Sequence, residues 1–253
     1  MDNTSREPKW GSNPETTPRA SKREPVPNSV LAGLPRLAYE SLRSGLEAVK
    51  LKFGEILYEP GQVIGHVYFP SDSLVSLLTL VDHRSALEVG MVGREGMVGM
   101  ALTLGSNVSP VRALVQGAGT ALRMSAARFR KEFKRSPLLR RGLYTYLNAL
   151  MAQITQTAAC NRFHHVEGRL ARWLLMTSDR VRSDKFELTQ DFLSHMLGVR
   201  RVGVTEAASA LQQRKLIEYR RGRITILDRA GLEAASCACY ALVRDMNEIK
   251  RKA

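Results

Sequence analysis

Residues 187–228 read ELTQDFLSHMLGVRRVGVTEAASALQQRKLIEYRRGRITILD. Thr189 is a favourable N-cap, and Phe192, Leu193, Met196 and Leu197 behind it form the inner face of a short helix. Gly198 stops that helix, as glycine does where the chain must turn left-handed. The stretch from about Val202 to Lys215 predicts a second helix, with Val204, Ala207, Ala208 and Leu211 inward and the two alanines allowing close approach to the first. Two short helices joined by a glycine-containing turn make a helix-turn-helix. The sequence then alternates around Arg221-Gly222, Ile217 and Tyr219 entering and Ile224 and Ile226 leaving, which predicts a β-hairpin wing.

Charge separates a DNA reader from a generic helical pair. Residues 162–227 hold thirteen basic side chains against seven acidic ones, a net of +6. Arg200 and Arg201 stand at the start of the second helix, where its dipole disfavours cations. A like-charged pair there calls for an external anion or a base edge. The whole chain of 253 residues has 38 Lys and Arg against 24 Asp and Glu, a formal +14, so a polyanion is the expected partner. Three cysteines cannot build a disulfide scaffold. The first residues, MDNTSREPKWGSNPE, lack an apolar secretory core, and the longest apolar stretch, near Leu74–Val81, is far short of a membrane span. A cytoplasmic protein that avoids membranes is the expectation. No nucleophile–base pair, phosphate-binding loop or paired carboxylates stand out, so no catalytic residue is assigned and an enzyme is not expected.

Upstream the pattern changes twice. Residues 1–29 hold five prolines among nearly balanced charges, the composition of a disordered tail. Leu34, Leu37, Leu42, Leu46 and Val49 suggest one short amphipathic helix. From Phe53 to Met124, short β-branched and aromatic runs alternate with turns such as Glu59-Pro60-Gly61, predicting an antiparallel β-sandwich or roll. Residues 125–136 read as a basic helix, and Pro137 opens a long one reaching about Asn161. Its stripe of Leu143, Leu147, Leu150 and Ile154 is assigned to a dimer interface, because a small roll could not cover it all. Gly168–Val181 gives a further helix. The expected fold class is thus α+β: a tail (1–29), a β-roll domain (30–136), a dimerisation helix (137–161) and a winged helix-turn-helix with a C-terminal helix (162–253).

Roll, long helix and winged helix in that order resemble the Crp/Fnr family of bacterial transcription regulators, over roughly residues 34–230. The resemblance implies a cyclic-nucleotide-binding-like roll, a homodimer, double-stranded DNA with a palindromic operator, and RNA polymerase as a further partner. It places Arg201 where family members read guanine, with Val202, Thr205 and Glu206 as the other base-facing positions. Val202 replaces a common glutamate, and Glu206 stands where one member type has a second arginine, so the operator should depart from the best-known consensus. Thr189, Gln190, Arg200, Arg220, Arg221 and Arg223 become DNA phosphate contacts. In the roll, nucleotide-binding members carry a Gly-Glu pair and an arginine about ten residues later. Here Met100 follows Gly99 and Pro110 takes the arginine's place, with Arg112 displaced, so no cofactor is assigned. Methionine cannot hold a ribose hydroxyl, nor proline a phosphate.

No metal ligand is assigned either. Cys237 and Cys239 would point apart on one helix, Cys160 reads as packed, and His164, His165 and His195 read as hinge or surface residues. Two rivals remain: a non-specific architectural DNA-binding protein, and a small-molecule sensor whose winged helix serves protein contacts.

Overall fold

The computed structural model describes residues 28–81 and 86–252. The tail assigned to 1–29 therefore lies outside the described residues except for its last two. Asn28 is buried, caps helix α1 (Ser29–Ala32), and donates to the carbonyls of Pro70 (3.0 Å) and Gly96 (2.7 Å). Those two positions belong to the fold rather than to a tail.

Helix α2 (Arg36–Arg43) is followed by strands β1 (Glu47–Leu51), β2 (Ile56–Tyr58), β3 (His66–Pro70), β4 (Leu74–Leu80) and β5 (Ala86–Val92). The single helix read across Leu34–Val49 is thus a helix and a strand. The helix stops at Ser44, and residues 47–51 pair antiparallel with residues 119–123, so Val49 answers to a strand. A 3-10 turn (Met100–Leu104) precedes β6 (Arg112–Gly117) and β7 (Gly119–Ser125). The strands form two antiparallel sheets, β1-β7-β3 and β2-β6-β4-β5. Val67, Phe69, Val75, Val92, Val115 and Ala121 fill the core between them.

Ser125 caps α3 (Ala126–Arg135) through Arg128 N at 3.3 Å, and Ser136 caps α4 (Pro137–Phe163) through Leu139 N at 3.2 Å. Pro137 at the first turn lacks only an N–H that has no helical partner there. At 27 residues, α4 is roughly 40 Å long. Leu143 and Leu150 are fully buried in the roll's core, with Leu147 and Ile154 packed at its edge. Leu143 and Leu150 are therefore core residues of the roll, which corrects their assignment to a dimer interface, while Leu147 and Ile154 keep part of their surface exposed. The roll covers most of that stripe, and a different face of α4 is left exposed.

The C-terminal part follows as α5 (Val166–Val181), β8 (Lys185–Glu187), α6 (Gln190–Leu197), α7 (Arg201–Gln213), β9 (Ile217–Arg220) and β10 (Arg223–Ile226), with α8 (Arg229–Ala235) and α9 (Cys239–Lys252) closing the chain. Its packing reaches back to the roll. Trp173 Nε1 donates to Glu88 Oε1 at 2.9 Å, Arg180 Nε to Glu95 Oε1 at 2.8 Å, and Gln116 Nε2 to Thr177 Oγ1 at 3.2 Å. Leu74, Leu78, Met91 and Leu114 of the roll join Leu170, Leu174 and the helix-turn-helix residues in one apolar cluster.

Candidate nucleic-acid interface

Thr189 accepts from Phe192 N at 3.1 Å and starts α6, whose inner face buries Phe192, Leu193, Met196 and Leu197. Gly198 ends it at φ +61°, and an added Cβ would also lie 2.5 Å from Leu87 Cδ1 of β5. The left-handed conformation favours glycine here, and any larger residue would also have to displace the end of the Leu87 side chain. Helix α7 then buries Val204, Ala207, Ala208 and Leu211 against α5 and α6.

The opposite face of α7 carries the residues assigned to base reading. Arg201, Val202, Thr205 and Glu206 are all exposed at the N-terminal half. Val202 is 66 % exposed, an apolar side chain that burial within this chain does not explain. Arg201 Nε reaches Gln190 Oε1 at 3.3 Å, so a residue on α6 steadies the arginine at the start of α7. Arg200 occupies the N-cap position without capping the helix. The helix start thus has no side-chain cap and stands beside two guanidinium groups, an arrangement that favours an anion.

The wing is a three-stranded sheet in the order β8-β10-β9. Sequence reasoning missed β8, which is three residues long and has only Phe186 as its buried signal. Arg221 (φ +50°) and Gly222 (φ +75°) form the hairpin tip. Two successive left-handed residues match the twist of the flanking strands, although the first is more often asparagine than arginine. Arg220 and Arg223 are directly paired across the hairpin, like charges facing each other. Arg223 also approaches Glu187 Oε1 at 3.4 Å. Of the three wing arginines, Arg223 therefore has an acidic neighbour, whereas Arg221 stands exposed at the tip. Thr189 is exposed at the α6 cap, and its oxygen is already accepting from the helix.

Within the roll, the positions that a cyclic nucleotide would use serve other purposes. Met100 is buried in the apolar core, and Arg112 Nε donates to Glu59 Oε2 at 2.9 Å. Calorimetry with cyclic AMP or cyclic GMP at millimolar concentration should show no saturable heat. Micromolar binding would mean that Arg112 leaves Glu59 to take the phosphate.

The exposed face of α4 has its own regularity. Arg141, Tyr144, Asn148, Met151, Thr155, Ala158 and Arg162 are all exposed and follow one another at alternating spacings of three and four. That is the heptad spacing of a two-helix seam. The Thr155 hydroxyl is satisfied internally by Met151 O at 2.9 Å, so it can enter such a seam.

Residues 168–235 match the Crp-like helix-turn-helix domain. No curated protein matches the chain. Solved structures share its fold at low identity. The c-di-GMP responsive global regulator CLP of Xanthomonas campestris is 19% identical, covering 76% of this chain and 99% of its own, with a TM-score of 0.63. FixK2 of Bradyrhizobium japonicum is 14% identical over 76% of this chain and 98% of its own, with a TM-score of 0.64. A transcriptional regulator of the CRP/FNR family from Thermus thermophilus is 22% identical over 75% and 98%, with a TM-score of 0.62. Among the described residues no helix is long and apolar enough to cross a membrane.

Proposed function

We propose that this chain, a Crp-like helix-turn-helix domain carried on the fold of the Crp/Fnr regulators, is a transcription regulator that binds a palindromic operator as a homodimer. The observation that carries this reading is the exposed face of α7. There Arg201, Val202, Thr205 and Glu206 have no packing role, beside an uncapped helix start and an arginine-tipped wing. Arg201 is the guanine reader, with the other three facing bases. Gln190, Arg200 and the wing arginines, Arg221 foremost, hold phosphates, as does Thr189 through its hydroxyl proton. Residues 28–136 serve as the sensor-like domain, α4 (Pro137–Phe163) as the dimer helix and the remainder of the chain as the reader. RNA polymerase is the further partner such a regulator engages, and the cytoplasm the compartment it needs.

The dimer rests on the heptad face of α4 rather than on its leucines. Asn148 at a core position of that seam favours one register and two strands. Tyr144→Glu with Met151→Glu should yield monomers by sedimentation and weaken operator binding sharply. Substituting Leu143 or Leu150 with glutamate should instead unfold the roll. A wild type that is monomeric at micromolar concentration would remove the homodimer.

Selection of bound sequences from a random DNA pool tests the function itself. The expected result is an inverted repeat whose half-site centres lie about 34 Å apart, one turn of duplex. Recovery of unenriched DNA with uniform, salt-dependent affinity would turn the reading towards the architectural protein.

A further inference from the structure

The chain's three cysteines converge on one histidine where α4 ends and α9 begins. Cys160 lies in the last turn of α4 and His164, four residues on, is its C-terminal cap, so both leave the helix end on one side. Cys237 lies in the link between α8 and α9, and Cys239 opens α9. The break in the helix at Ser236–Ala238 lets these two cysteines face the same way, which corrects the expectation that they point apart on one helix. Cys160 Sγ and Cys237 Sγ are 3.4 Å apart, and Cys239 Sγ is 3.4 Å from His164 Nδ1. The four ligand atoms all lie within 4.8 Å of one another.

We propose that Cys160, His164, Cys237 and Cys239 form a mononuclear metal site for a zinc-class divalent ion. A tetrahedral ion with bonds of about 2.3 Å to sulfur and about 2.0 Å to nitrogen sets its ligands roughly 3.5–3.8 Å apart. The observed spacings bracket that value, so closure on an ion needs only small side-chain shifts. An iron–sulfur cluster spreads its four ligands over two or four irons and would need some of them farther apart than these. Three thiolates and an imidazole also select zinc over magnesium or calcium. Cys160 and Cys239 are buried, and Gln156 Nε2 donates to Cys239 Sγ at 3.0 Å, the kind of outer partner that orients a metal-bound thiolate. A Cys160–Cys237 disulfide would use one of these contacts and leave the Cys239–His164 approach without a purpose. Binding displaces the thiol protons to solvent as the sulfur–metal bonds form.

The location gives the ion a structural consequence. His164 and His165 separate α4 from α5, and α9 packs against α4. An ion held by both helix ends clips the C-terminal helix across the joint from which the reader hangs.

The test uses the full chain, purified with a reductant and without chelators. Elemental analysis should find one zinc per chain, falling to background in a Cys237→Ser/Cys239→Ser variant that keeps the far-ultraviolet circular dichroism of the wild type. Should that variant fail to fold, cobalt(II) added to metal-stripped wild type decides. Intense visible bands with sulfur-to-cobalt charge transfer support the site, and the weak bands of octahedral cobalt overturn it. Iron with acid-labile sulfide overturns it in favour of a cluster. Metal-free protein that does not take up zinc on dialysis overturns it outright.

Discussion

Replacing Arg201 by alanine is expected to flatten base preference at one position in each half of the operator while leaving random duplexes bound nearly as before. A bidentate arginine–guanine contact is worth about 1–3 kcal/mol of discrimination, and a two-fold dimer makes it twice. The specificity ratio should therefore fall by roughly 30-fold at the least. Arg221→Ala at the wing tip should act otherwise, weakening all sequences alike and lowering the slope of log affinity against log salt by about one per wing. The two variants read against each other, by titration of specific and random duplexes over a salt series. Equal losses on both duplexes for Arg201→Ala would reduce it to a phosphate contact and pass base reading to Arg200, Thr205 or Glu206.

The second large effect is on stability. Glu88 lies in β5, sealed between the roll and α5, where burial pushes its carboxyl up from 4.5 to about 7. Hydrogen bonds from Ser76 and Trp173, and the charges of Arg172 and Arg180, oppose that rise without cancelling it. Between pH 4.5 and about 7 the unfolded chain has released a proton that the folded chain keeps, so Glu88 subtracts stability as pH rises through that window and no further above it. At about 1.4 kcal/mol for each pH unit, the loss reaches about 3 kcal/mol. Glu88→Gln retains an oxygen for Trp173 Nε1 and has no charge to bury. Its urea unfolding should match the wild type near pH 4 and exceed it by about 3 kcal/mol at pH 8. Parallel curves across that range would show that Arg172 and Arg180 neutralise an ionised Glu88.

The parts of this chain that were legible as sequence are those whose signals are local. Thr189, Gly198, Arg221-Gly222 and Pro137 each fix a cap, a turn or a helix start by their own backbone chemistry, and each stands in the structure where it was expected. What covers an apolar face is not local. Helix α4 carries two stripes one residue out of step, Leu143-Leu147-Leu150-Ile154 and Tyr144-Asn148-Met151-Thr155. Periodicity marked the more apolar of them and could not tell that the roll would claim it. The cysteine cluster was hidden for a similar reason. Cys160 and His164 at a helix end were a readable hint, but their partners come from 77 and 75 residues away. Strand β8 is too short to announce itself and is held by its register against β10.

The cluster in which Leu74, Leu78, Met91 and Leu114 meet Leu170, Trp173 and Leu174 bears on modularity. Winged helices are often pictured as interchangeable heads that can be cut from one protein and grafted onto another. Here the cut at residue 162 would pass beside a shared interior, stripping apolar cover from both fragments and parting Glu95 from Arg180. The two parts share one apolar interior across that cut. A chimaera that keeps its reader needs to inherit β4, β5 and β6 with it.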